Sequence, residues 1–198
     1  LVGPVDRDML IPTGSTLLNL ALSDNPYGGF VLGTINNIIG DSAAGKTFLF
    51  WTILAEMTYD NRFKKHRLIY DEPEAAYAFN TAKLFGDAVE KRVETDLVSE
   101  SVEDWHDNVF DQVKTNVPFI YGLDSLDAIS SEEEIERDIR KGTFGAAKPK
   151  LIGEILRKIV QGVKGSNSAV FVISQTRDAI GVMFGDKKTR SGGKALKF

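Results

Sequence analysis

Gly40-Asp41-Ser42-Ala43-Ala44-Gly45-Lys46-Thr47 follows the pattern G-x-x-x-x-G-K-[ST], a loop spelled to cradle phosphate. Glycines at 40 and 45 are expected to adopt backbone angles that a Cβ would forbid, turning consecutive N–H groups inward around phosphate oxygens. A helix starting at the loop's end adds its unpaired first-turn donors and the positive end of its dipole. Lys46 brings a mobile cation to the outer phosphates, and the Thr47 hydroxyl is placed to ligate Mg²⁺. Chance yields this pattern in 198 residues on the order of one time in a hundred. A plain glycine turn has no need of the Lys-Thr pair.

The elements needed to position such a loop are legible around it. Residues 30–39 read as a strand running into it and residues 48–57 as a buried helix leaving it. Further along, 67–71 reads as an apolar strand, 74–85 as a helix closed by Gly86, and 95–99 as a weaker strand. Residues 102–113 form a helix pattern. Residues 117–124 follow as a strongly apolar strand, with Pro118 tolerated at its start. A Gly- and charge-rich stretch over 130–150 precedes a helix at 151–163 and a buried strand at 168–174. Near-continuously apolar strands alternating with helices predict an α/β fold, a mostly parallel sheet with helices on both faces. No internal repeat or low-complexity linker interrupts it, so residues 1–198 are expected to form one domain. The chain begins at Leu1 and stops at Phe198 without a closing turn or cap, the pattern expected of a fragment or an excised core.

In such folds the ligand sits at the carboxyl ends of the strands. Asp124 ends one apolar run and is followed by Ser125; a carboxylate there can hold Mg²⁺ opposite Thr47, or simply cap the next segment. The strand ending at Asp71 delivers Glu72-Pro73-Glu74. Either glutamate can polarise an attacking water, with Glu74 preferred, or both stabilise the start of the next helix. Another strand end delivers Gln175, a neutral amide suited to sensing a γ-phosphate without a charge penalty.

Composition bounds the rest. With 42% hydrophobic and 26% charged residues the chain resembles an ordinary globular protein. It has no 18-residue apolar run and no signal peptide, so neither membrane partner nor export is expected. Absence of cysteine excludes disulfides and thiolate metal sites and fits a reducing, cytoplasmic setting. His66 and His106 lie in charge-rich surroundings and are expected at the solvated surface rather than on a metal. The net charge of −4 conceals an asymmetry: residues 177–197 hold six bases and two acids, so they carry +4 while the remainder carries −8. That stretch is a candidate polyanion site.

Its wording closely resembles a known family. Ile180-Gly181-Val182-Met183-Phe184-Gly185, then Ser191-Gly192-Gly193-Lys194-Ala195-Leu196-Lys197-Phe198, resembles the second DNA-binding loop of bacterial RecA recombinases. Ile11-Pro12-Thr13-Gly14-Ser15, the phosphate loop, Glu72-Pro73-Glu74 and Leu123-Asp124-Ser125 occur in the family's order. Residues 134–145 resemble its first DNA-binding loop. The resemblance implies a RecA-like ATPase core, with ATP at 40–47 and Mg²⁺ at Thr47 and Asp124. It also implies a water-activating glutamate at Glu72 or Glu74 and a γ-phosphate sensor at Gln175. Single-stranded DNA would lie along residues 177–194, and Lys197 and Phe198 would couple neighbouring subunits of a homo-oligomeric filament that pairs one strand with a duplex. The family's Asp-Ala-Glu and Asn-Gln are here Glu-Pro-Glu and Ser174-Gln175. The family's polymerisation helix and everything beyond Phe198 are missing from this chain, so the filament is an expectation for a longer protein.

The residues of that last stretch support the same use. Gly181, Gly185, Gly192 and Gly193 let the backbone approach a phosphodiester, while Arg177, Arg190 and Lys194 supply counter-charge. Ile180, Val182, Met183 and Phe184 form an apolar tip that can stack on unpaired bases, or pack as a hairpin on protein. The expected activity is a DNA-dependent ATPase of homologous recombination. A RecA-fold helicase-type motor and a non-catalytic nucleotide-binding scaffold are the rival readings.

Overall fold

Strand residues alternate between two apolar clusters. Leu68, Tyr70, Ile120, Phe171 and Ile173 point to one side, and Ile69, Phe119, Tyr121, Val170 and Val172 to the other. In a pleated strand successive side chains face opposite ways, so a sheet with both sides apolar must be covered on both. The computed structural model, which describes residues 6–74, 79–136, 147–178 and 188–190, shows that arrangement.

The central sheet has strand order β3 (Ile35–Gly40), β7 (Ala169–Asp178), β6 (Phe119–Leu123), β4 (Arg67–Asp71) and β5 (Val93–Glu94), all parallel. A sixth strand, β8 (Lys188–Arg190), pairs antiparallel with the far end of β7. Helices α2 (Lys46–Tyr59) and α4 (Asp87–Arg92) contribute to the first cluster; α5 (Val102–Lys114) and α7 (Ala147–Val163) contribute to the second. The predicted α/β class is therefore the observed one. Before the sheet, a short ribbon of β1 (Leu10–Ile11) and β2 (Phe30–Val31) brackets α1 (Thr16–Ser23). Among the described residues no helix is long and apolar enough to cross a membrane.

The boundaries differ from the expected ones in instructive places. The strand expected over 30–39 is two: Gly33, at φ 80°, breaks it and donates its N–H to Ser168 O at 2.7 Å. Only residues from Ile35 onward join the central sheet. In place of a helix from Glu74 to Phe85, α3 (Thr81–Phe85) starts where the Asn80 side chain caps Lys83 N at 2.7 Å; residues 75–78 lie outside the described set. The strand expected at 95–99 lies earlier, at β5, and the residues after it leave the sheet so that Ser99 can bond the side chain of Asp71. A five-residue helix, α6 (Glu132–Glu136), stands in the stretch read as irregular, and α7 starts at Ala147, with Pro149 tolerated in its first turn. Neither histidine is simply solvated. His66 Nε2 lies 2.8 Å from Asn167 O and His106 Nδ1 lies 2.8 Å from Asp107 Oδ1, both half-buried.

Candidate nucleotide-binding site

Strand β3 ends at Gly40 and helix α2 begins at Lys46, so the intervening loop closes over the carboxyl end of the sheet. Of the two glycines expected to need unusual angles, only Gly45 does, at φ 82°. Gly40 remains within β3, and a Cβ there would make only ordinary contacts, at 3.4 Å or more. Ala43, at φ 58°, takes the second left-handed position. No side chain caps the N-terminus of α2, so its first-turn N–H groups remain available to an anion.

The loop opens on a pocket of about 280 Å³ lined by Ser42 to Phe48, Glu74, Phe79, Asp124, Ser125, Ile173 and Gln175. Separate segments of the chain thus deliver most, though not all, of the residues that the sequence singles out at strand ends and in the phosphate loop; Gly40, Asp41 and Glu72 are not among the lining residues. A separate pocket of about 250 Å³ lies between Val113, Pro118, Gly162 and Ser168, near the start of β6, and no ionisable side chain lines it. Chemistry separates the two.

In and around the first pocket the polar groups are already engaged with one another. The Lys46 Nζ donates to Asp41 O at 2.8 Å. Thr47 Oγ1 donates to Asp124 Oδ2 at 2.5 Å, and Tyr70 OH donates to the same oxygen at 3.0 Å. Ser125 Oγ donates to Glu74 Oε1 at 3.2 Å. Thr176 Oγ1 donates to Asp41 Oδ1, which ties β7 to the loop. The Gln175 backbone N–H is held by Asp127 Oδ2 at 2.8 Å, and its side chain lines the pocket. Glu72, half-buried, is not among the lining residues; Glu74 is. Phe48 and Phe79 supply an aromatic rim, their rings 6.3 Å apart and edge to face.

The donor set fits Mg²⁺. Thr47 Oγ1 and Asp124 Oδ2 are hard oxygen atoms brought within 2.5 Å of each other beside a loop built for phosphate, and Mg²⁺ takes few protein ligands, completing its shell with water and phosphate oxygen. Among the described residues no group of three or more His, Cys, Asp or Glu is placed to hold a metal ion.

A second polar cluster underlies the pocket and was not foreseen. Asp71 is fully buried and accepts from Ser99 N at 2.8 Å, Ser99 Oγ at 2.5 Å and Tyr121 OH. Burial pushes its carboxyl above the usual range, against the lowering by Ser99 and Tyr121. Its backbone carbonyl accepts the Asp124 N–H at 2.8 Å. Tyr70, next along β4, has its phenol pushed well above the ordinary value by burial first, then by the charges of Asp124 and Glu72.

Of the expected DNA-contacting residues, the backbone of Arg177 lies in β7 opposite Thr189, and that of Arg190 lies in β8 opposite Thr176. They stand on the two arms of one antiparallel pair. Ile180, Gly181, Val182, Met183, Phe184, Gly185, Ser191, Gly192, Gly193, Lys194, Lys197 and Phe198 lie outside the described residues, as does most of the stretch 134–145.

Comparison with known proteins agrees with the geometry. The family model for the RecA N-terminal domain matches residues 5–198. The chain is 30% identical over 192 residues to Protein RecA of Aquifex pyrophilus, covering 95% of this chain and 51% of the relative. It is 33% identical over 192 residues to Protein RecA of Francisella tularensis subsp. novicida, covering 96% and 50%. The chain spans about half the length of the curated relatives it matches.

Proposed function

The chain belongs to the RecA family, and from that premise we propose that it is the nucleotide-binding core of an ATP-dependent recombinase that holds single-stranded DNA and hydrolyses ATP to let it go. One observation carries this reading furthest. Strand β7 runs unbroken from Gln175, at the pocket, to Asp178, and pairs there with β8. Gln175, which lines the pocket, and Arg177, the first base of the basic, glycine-rich stretch, therefore lie on one strand, and β8 pairs with that strand's end.

The residues have separable roles on this reading. The α2 N-terminus and the loop amides bind the phosphates, and Lys46 leaves the Asp41 carbonyl to meet their outer oxygens. Phe48 and Phe79 pack against the base. Thr47 and Asp124 hold Mg²⁺, which when bound neutralises the charge developing on the phosphates. Glu74, kept in place by Ser125, orients the water that attacks the γ-phosphorus and accepts its proton while the bond to the β-phosphate oxygen breaks. Glu74 is favoured over Glu72 because it alone of the two lines the pocket. Gln175 hydrogen-bonds the γ-phosphate and moves with β7 when that phosphate departs. Single-stranded DNA lies along 177–194, with Lys197 and Phe198 coupling subunits of a filament formed by the longer protein. A duplex is then tested against the held strand.

The deciding experiment is ATP turnover by the full-length protein with and without single-stranded DNA. DNA-stimulated turnover is expected. Nucleotide binding with no turnover in either condition would favour a scaffold and overturn the proposal.

A further inference from the structure

We infer that Tyr70 is a positioning residue for Mg²⁺: its phenol fixes the Asp124 carboxylate in the orientation that faces Thr47. The inference rests on reading the pocket as a Mg-nucleotide site, and extends it to a side chain that touches neither ligand.

Two hydroxyls converge on one carboxylate oxygen. Thr47 Oγ1, from the first turn of α2, lies 2.5 Å from Asp124 Oδ2, and Tyr70 OH, from β4, lies 3.0 Å from it. They differ in what they can do next. Thr47 is exposed to the pocket, and its oxygen is itself a metal ligand on the proposed reading. Tyr70 is 1% exposed and does not line the pocket.

The Tyr70 ring cannot swing away. Its centroid lies 5.0 Å from that of Trp51 and 6.3 Å from that of Phe50, the latter stacked at 27°. Both partners are buried on α2, the helix that carries Thr47. One helix thus supplies the hydroxyl facing the carboxylate and clamps the phenol behind it. The neighbouring β4 residue completes the arrangement, because the Asp71 carbonyl accepts the Asp124 N–H at 2.8 Å. Side chain and main chain of Asp124 are therefore held by consecutive residues of one central strand.

A carboxylate oxygen accepts in more than one direction. Tyr70 occupies one of those directions on Oδ2 and removes the side-chain rotation that metal binding would otherwise have to freeze. A purely structural reading exists: a buried phenol needs an acceptor, and Asp124 is the one at hand. The two readings separate on metal affinity.

The test is Tyr70→Phe in the full-length protein, with binding of a fluorescent ADP analogue followed as a function of Mg²⁺ in the absence of turnover. Losing one oxygen while keeping the ring stack should raise the Mg²⁺ concentration for half-maximal binding by about tenfold and leave Mg²⁺-free nucleotide affinity unchanged. Thermal unfolding of the same samples checks the fold, and Tyr70→Met, with no hydroxyl and an adaptable side chain, repeats the measurement if the Phe variant is unstable. An unchanged Mg²⁺ midpoint in a folded variant overturns the inference. If wild-type protein binds the analogue with no Mg²⁺ dependence, the reading of the pocket fails first and this inference falls with it.

Discussion

Thr176 Oγ1 donates a hydrogen bond to Asp41 Oδ1, so the phosphate loop and the strand that leaves the pocket are tied by side chains as well as by the sheet. The two residues are 135 positions apart in sequence. Asp41 is also the residue whose carbonyl holds Lys46. On the proposed reading, phosphate that drew Lys46 away and repelled the Asp41 carboxylate would act on Thr176 directly, two residues before β7 ends at Asp178.

Removing that tie should weaken communication without removing either ligand. In Thr176→Val, nucleotide affinity is expected to persist. The ratio of single-strand affinities with an ATP analogue and with ADP should shrink by about three- to tenfold, the scale of one hydrogen bond to a charged group at a partly exposed position. Anisotropy of a labelled oligonucleotide under both nucleotides measures it.

The two glutamates after β4 should separate in single-turnover assays. Glu74→Gln keeps the shape of the pocket and its contact with Ser125 but loses the proton acceptor, so turnover should fall about a hundredfold or more with nucleotide still bound. Glu72→Gln should stay near wild type. The reverse order would reassign the water-activating role.

Gly122 of β6 lies under the Phe50 ring, and a Cβ at this position would stand 2.0 Å from Phe50 Cε1. Both neighbours are in the core, where room cannot be made cheaply. Gly122→Ala is expected to destabilise the fold by about 1–3 kcal/mol, read as a lower urea midpoint with an unchanged slope.

Burial raises the Asp71 carboxyl above its ordinary value. The folded state then holds that proton more tightly than the unfolded chain does. Its contribution to stability is complete below the ordinary carboxylate range and is lost as pH rises through the raised folded value. Asp71→Asn should lack this trend. Compared with the variant, wild-type protein should gain relative stability on moving from neutral pH towards pH 4, as urea midpoints across that range would show.

Much of this was legible in the chain. Strands β4, β6 and β7 announce themselves as apolar runs bounded by polar residues, and the loop's spelling names its ligand without any structure. Asp124, Glu74 and Gln175 are singled out by one rule, that ligands bind at the carboxyl ends of parallel strands, and all three line the pocket. What stayed hidden depends on register. Tyr70 within an apolar run reads as core, and only the pairing of Tyr70 with Gly122 and Asp71 with Leu123 brings its hydroxyl beside Asp124. Asp71 reads only as the acid that ends its strand until β6 places Tyr121 against it. Gly33 looks like any glycine until its N–H is seen bonded to Ser168 across the sheet edge. Ala43 gave no signal at all, since a left-handed backbone at alanine has no spelling of its own.

The central claim is that nucleotide bound at 40–47 sets the grip on DNA through β7. It is tested most directly by the affinity of the full-length protein for a labelled single strand with a non-hydrolysable ATP analogue and with ADP, at one fixed salt concentration. Binding is expected to be tight with the analogue and weak with ADP, and that difference should be lost in Gln175→Ala. Equal affinity under the two nucleotides in the wild-type protein would contradict it.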